Sequence, residues 1–286
     1  MAKNMVGVIG AGVMGSDIAL DLSAYGFEVF LKDVDQSALL KAKHKITSTY
    51  KLVRLMKGTS FSYSLEELLS RIQFVTELEG IEKADIVIEN ITEDFELKKK
   101  LYLELRDVCR EDAVFGVNTS CISITKLAGL MHKPQNVIGM HFLNPVPMKN
   151  LVEVIRGVHT SEETLDRTKS FLKTIGKTWV IVEDFPGFVT NRVLMVTINE
   201  CIWLLQEQVA RPEDVDKIFR KGFGHKMGPL ATADLIGLDT VLYSLEVLFE
   251  SYKDPKYRPC PLLKNMVNAG LLGKKTGRGF FKYPAP

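Results

Sequence analysis

The chain has 286 residues, 46% of them hydrophobic and 25% charged, which is ordinary for a globular protein with room for one large or two moderate domains. A formal net charge of +2 gives no global field for a nucleic acid or a membrane surface, so neither partner is expected. Cys109, Cys121, Cys201 and Cys260 lack CxxC or zinc-type spacing. Together with the lack of a signal-peptide pattern or a long apolar run, this predicts a cytoplasmic protein with reduced thiols, no disulfide and no metal.

Val6-Gly7-Val8-Ile9 reads as a short buried strand, and Gly10-Ala11-Gly12-Val13-Met14-Gly15 follows it directly, before the helical pattern Ile18, Ala19, Leu22. A GxGxxG in a strand-to-helix turn suits a dinucleotide. Gly10 permits the tight turn, Gly12 lets the backbone approach the pyrophosphate, and Gly15 lets the helix pack on the strand. The next strand, Glu28 to Asp33, ends in a carboxylate placed to accept a ribose hydroxyl. Asp33 would repel a 2′-phosphate, which favours NAD over NADP, although Lys32 beside it works the other way.

A long helical stretch follows from Gln36, with Lys41, Lys43, Lys45, Lys51, Arg54 and Lys57 before a break at Gly58-Thr59-Ser60. A second helix begins at Ser64, where Glu67 completes a capping-box pattern. This hairpin is expected to project from a doubly wound sheet. Its cations fit either a grip on a phosphorylated carrier or a solvated face.

Strands are predicted at Ile72 to Val75, Asp85 to Glu89, Val114 to Asn118 and Val137 to His141. Their carboxyl ends gather Gly10, Glu93, Ser120 and His141 on one edge, where open α/β sheets bind ligands. After His141, Pro145 and Pro147 impose a rigid turn, and the chain returns as Leu151-Val152-Glu153-Val154-Ile155, a strand apolar except for one carboxylate. A histidine on a stiff loop with a carboxylate on the next strand can supply an oriented base near neutral pH. A core histidine with a structural Glu is the other possibility. Near residue 184 the α/β pattern stops, so the domains are expected to be 1–184 and 185–286. Helices are predicted at Val189 to Val209, Pro212 to Arg220, Leu230 to Tyr252 and Pro261 to Ala269. The first is more apolar than one core-facing stripe requires, which suits a homodimer seam or a helix buried in its own domain.

Several pieces, taken together, resemble the short-chain-length L-3-hydroxyacyl-CoA dehydrogenases over nearly the whole chain. They are the GAGVMG turn, Asn118-Thr119-Ser120, His141-Phe142 with Asn144-Pro145-Val146-Pro147, Leu151 to Val154, and Pro186-Gly187-Phe188 with Asn191-Arg192. Met227-Gly228-Pro229, Asp234 with Gly237-Leu238-Asp239, and Gly273 to Phe280 continue the likeness. The resemblance implies a Rossmann-type domain followed by a helical domain and NAD-dependent oxidation of a 3-hydroxyacyl thioester. It gives His141 the role of base and Glu153 that of orienting carboxylate, with Ser120 and Asn191 as donors to the reacting oxygens. It also implies that Glu93 and Lys98 contact the nicotinamide half of NAD, that Asn144 lies near the nicotinamide amide, and that Asn118 belongs to the cofactor site.

Departures bear on the substrate. Cys121 stands where a second serine is usual, Leu143 replaces an aromatic, Met148-Lys149-Asn150 differs from the common Val-Met-Lys, and Glu89 to Glu93 is unusually polar. Phe61-Ser62-Tyr63 in the hairpin is also unusual. These variants are similar to a branch acting on short polar groups such as glyceryl on an acyl carrier protein, in polyketide extender-unit supply. That substrate is the first expectation, with a coenzyme A thioester of fatty-acid or butyrate metabolism as the alternative. Dehydrogenases of free hydroxy acids usually rely on a lysine base, and a non-catalytic NAD-binding protein would have little use for Ser120, His141, Glu153 and Asn191 together.

Overall fold

The computed structural model describes residues 5–57 and 62–284. The break expected at Gly58-Thr59-Ser60, and Phe61, lie outside the described residues. The chain divides into two compact units, one ending at Phe185 and one beginning at Pro186.

The first unit is built on β1 (Met5–Ile9), α1 (Val13–Ala24), β2 (Glu28–Lys32), α2 (Gln36–Lys57), α3 (Leu65–Ser70) and β3 (Ile72–Val75). It continues through β4 (Ile86–Glu89), α4 (Phe95–Val108), β5 (Val114–Val117), α5 (Ile124–Ala128), β6 (Val137–Phe142), β7 (Leu151–Arg156), α6 (Glu162–Thr174) and β8 (Thr178–Glu183). The eight strands form one sheet in the order β3-β2-β1-β4-β5-β6-β7-β8. All neighbours are parallel except β6 and β7, which are antiparallel. The first six strands follow the classic dinucleotide-binding order, and β1 and β4 flank the point where it reverses. Parallel strands covered on both faces must be apolar throughout, and β4, β5 and β6 are buried along their full lengths.

The hairpin joins this core before it leaves it. Leu39, Ala42, Ile46, Tyr50 and Leu68 pack with Ile18, Leu20 and Leu22 of α1, whereas Leu55 and Met56 near the far end of α2 are exposed. Ser64 and Glu67 form the capping box that their spacing predicts. The sequence predicts no element between β7 and residue 184. There the chain forms α6, whose N-cap Ser161 accepts from the Thr164 amide, and β8, a half-exposed edge strand.

In the second unit the helices are α7 (Thr190–Gln206), α8 (Pro212–Lys221), α9 (Pro229–Ile236), α10 (Leu238–Tyr252) and α11 (Pro261–Asn268). The single helix expected from Leu230 to Tyr252 is therefore two. Gly237 separates them with φ of 102°, a value that non-glycine residues rarely adopt. Ile198 and Ile202 of α7 pack with Leu230, Val241, Leu245 and Leu263 in this unit's own core. Among the described residues no helix is long and apolar enough to cross a membrane.

Candidate active site

The three glycines of the turn sit in three different surroundings. Gly10 has φ of 94° and lies against the Asn90 backbone. A Cβ on Gly15 would overlap the Gly10 carbonyl oxygen, so only glycine lets α1 start that close to β1. At Gly12 a Cβ would meet no protein atom within 4 Å, which leaves the approach to the α1 amides open for a phosphate.

Beyond the turn, Asp33 is held by two amides: its Oδ2 accepts from Ala11 N at 2.8 Å and its Oδ1 from Asp35 N at 3.2 Å. A cavity of about 590 Å³ is lined by Gly10, Gly12, Asp33, Asn90, Leu97 and Lys100, among others. An anion-binding turn, an anchored carboxylate and an apolar wall fit an extended dinucleotide. Val13 is exposed on the first turn of α1, and Met14 packs partly against the core.

The reactive end follows from the one antiparallel pairing. Register places His141 directly opposite Glu153, and directly opposed residues point to the same face. His141 Nδ1 lies 2.9 Å from Glu153 Oε2, and both residues are buried, at 8% and 2% exposure. A carboxylate only accepts, so this contact assigns the proton to Nδ1 and leaves the lone pair on Nε2. Nε2 in turn lies 3.2 Å from Ser120 Oγ. The imidazole is thus oriented from both sides, as a general base requires.

Ser120 is itself held from below. Glu93 Oε1 accepts from the Thr119 hydroxyl, and from the Ser120 and Cys121 amides at 2.9 Å each. Lys98 is fully buried; its Nζ contacts Glu89 Oε1 at 2.5 Å and lies 3.9 Å from Glu93 Oε2. Burial pushes the Glu89 carboxyl up while Lys98 pulls it down, and the upward effect prevails. Lys98 therefore braces the turn beneath Ser120. Asn118 has a comparable structural commitment: its Nδ2 donates to Asn90 Oδ1 at 2.7 Å, and its Oδ1 accepts from Phe142 N at 3.1 Å. It ties the ends of β4, β5 and β6 together next to His141.

Asn144 is exposed and precedes a cis bond to Pro145. The loop that carries it is anchored by Lys177, whose Nζ donates to the Val146 and Lys149 carbonyls at 2.8 and 2.9 Å and pairs with Asp21 at 2.6 Å. Asn191 belongs to the second unit, in the first turn of α7.

Several supporting residues were missed in the sequence. Glu89 closes an otherwise apolar strand, a pattern that could have marked it as paired. Lys177 and Asp21 gave no local sign, because their partners lie far along the chain. Asp184 was read only as part of a boundary, yet it accepts from the Ser123 hydroxyl and from the Ile124 and Thr125 amides, fixing the start of α5 just after Cys121.

Comparison with known proteins agrees with this architecture. Residues 5–185 match the family model for the NAD-binding domain of 3-hydroxyacyl-CoA dehydrogenase, and residues 187–283 match that for its C-terminal domain. The chain is 46% identical over 284 residues to a probable 3-hydroxybutyryl-CoA dehydrogenase of Bacillus subtilis, covering 99% of this chain and 98% of that one. It is 37% identical to the mitochondrial hydroxyacyl-coenzyme A dehydrogenase of Rattus norvegicus, covering 97% and 90% of the two. The crystal structure of (S)-3-hydroxybutyryl-CoA dehydrogenase from Ralstonia eutropha superposes with a TM-score of 0.90 at 40% identity, over 99% of this chain and all of that one. The chain belongs to the 3-hydroxyacyl-CoA dehydrogenase family of NAD-dependent oxidoreductases.

Proposed function

We propose that this protein oxidises a short 3-hydroxyacyl-coenzyme A thioester, such as 3-hydroxybutyryl-CoA, to the 3-oxoacyl thioester, reversibly and with NAD. The observation that carries this reading is His141, held between Glu153 and Ser120 at the carboxyl ends of a dinucleotide-binding sheet. NAD, when bound, accepts the hydride from C3. His141 Nε2 takes the proton of the 3-hydroxyl, and Glu153 stabilises the imidazolium that results. Ser120 donates to the oxygen as it becomes a carbonyl, which stabilises its growing negative character without a permanent charge to desolvate.

The remaining roles are proposed on the family resemblance. Asn191 would supply a second donor to the reacting oxygen, and Asn144 and Glu93 would border the nicotinamide. Lys98 and Asn118 would act by holding Glu93 and the β6 end in place, since their hydrogen bonds run to Glu89, Asn90 and Phe142. Val189 at the N-cap of α7 and Val193 on its first turn are exposed, which supports a homodimer seam.

Coenzyme A replaces the acyl carrier protein as the preferred carrier. The Bacillus, Rattus and Ralstonia relatives are all named for coenzyme A thioesters, and none of those names refers to a carrier protein or a glyceryl group. The test is NADH formation with (S)-3-hydroxybutyryl-CoA and with a glyceryl-carrier protein at equal concentration. Faster turnover of the coenzyme A ester is expected. Turnover of the carrier-bound substrate alone would overturn the carrier assignment, and activity with neither would overturn the substrate class.

A further inference from the structure

Lys32, the last residue of β2, lines the dinucleotide cavity next to Asp33 and is 7% exposed. Among the described residues no carboxylate pairs with its ammonium. Alternation along β2 sends Leu31 into the core with α1, so Lys32 lies on the opposite face, as does Phe30, whose ring packs against Gly80. Lys100 of α4 lines the same cavity, with Glu104 one turn further along. Lys32 is a cationic side chain on the cavity wall, and an anionic group bound in the cavity would give it a partner. The pyrophosphate of NAD belongs at the α1 amides by Gly12, and the ribose beside Asp33 carries no charge of its own. NADP differs there by one dianionic group.

We propose that Lys32, with Lys100 in support, forms a latent 2′-phosphate subsite at the adenosine end of the cofactor cavity, and that the fixed Asp33 carboxylate beside it opposes NADP. This rests on the family's NAD site in this chain. Asp33 is held rigidly by Ala11 and Asp35, so it cannot swing away from a 2′-phosphate. Removing its charge leaves Lys32 as the dominant neighbour.

The test is equilibrium titration of NADH and NADPH, followed by their fluorescence, on the wild type, Lys32→Met, Asp33→Ser and the double variant. NADH binding to the wild type checks the cofactor site independently of Lys32. Asp33→Ser is expected to bind NADPH at least as tightly as NADH. Adding Lys32→Met should weaken NADPH by about tenfold or more, the scale of one lost charge-assisted hydrogen bond, while NADH changes less than about threefold. Raised salt should reduce NADPH affinity in Asp33→Ser more than in the double variant. Equal NADPH affinity in those two variants would overturn the proposal. So would a Lys32→Met loss shared equally by NADH and NADPH, which would put Lys32 on the part of the cofactor common to both. If Asp33→Ser does not fold, the wild type and Lys32→Met decide the matter by their affinities for 2′,5′-ADP and AMP. Only a loss confined to the 2′-phosphorylated nucleotide supports the subsite.

Discussion

Glu153→Gln is the substitution that most directly probes the arrangement around His141. Glutamine keeps the shape of the side chain and removes its charge. Its amide can also present an N–H to Nδ1, which would move the imidazole proton to Nε2, where the substrate proton must go. At about 4 Å and an effective dielectric constant of about 20, a carboxylate favours a neighbouring imidazolium by about 4 kcal/mol. If half to all of that is expressed in the transition state, kcat should fall by roughly 30- to 1,000-fold. The contact lies among buried groups, so little of this is lost to solvent screening. NADH formation from 3-hydroxybutyryl-CoA gives the rate, NADH fluorescence titration gives cofactor affinity, and a melting curve checks the fold. A kcat within threefold of the wild type, with the fold and NADH affinity intact, would refute the role of Glu153. Loss of NADH binding in parallel with rate would show that the residue serves the fold instead.

Two other predictions address the cofactor loop and the α1 support. Gly12→Ala should melt within about 2 °C of the wild type, because its Cβ meets no protein atom, yet weaken NADH about tenfold by crowding the pyrophosphate; calorimetric titration beside a thermal melt would separate the two effects. Burial pushes the Asp17 carboxyl above its ordinary 3.8, against the pull of Lys45 at 3.8 Å and the Thr49 hydroxyl at 2.9 Å. A native acid with a raised pKa holds more protons than the unfolded chain, so its contribution to stability falls as pH rises above 3.8 and the penalty is complete above the native value. Asp17→Asn should therefore shift the melting temperature more favourably at pH 7 than at pH 4, and an equal shift at both would count against it.

Local signals were enough for the cofactor turn and the elements next to it. The GAGVMG turn, the strand ending in Asp33 and the Ser64 capping box each rest on a few adjacent residues, and short-range sterics and hydrogen bonding decide such features. The change to an all-helical second unit was legible for the same reason, as a change of hydrophobic period. The two helices on either side of Gly237 were not separated, because apolar periodicity runs through the glycine and only its positive φ breaks the axis. The sequence predicts no element within residues 157–184, where α6 and the edge strand β8 lie, and the half-exposed faces of β8 leave little alternation to read.

His141 and Glu153 could be named from the sequence, but whether the two meet depended on the β6 and β7 register, since a slip of one residue would turn one of them to the other face. The supports beneath them are less visible still. Glu89 with Lys98, Asn90 with Asn118, and Asp21 with Lys177 join side chains from separate elements, and none of these pairs has a periodic signature. The sequence by itself determined the fold class, the cofactor turn and the candidate acid–base pair, because each is written in neighbouring residues. Only the tertiary structure decided which buried charges face one another, because that depends on sheet order and register, which no local stretch of chain contains.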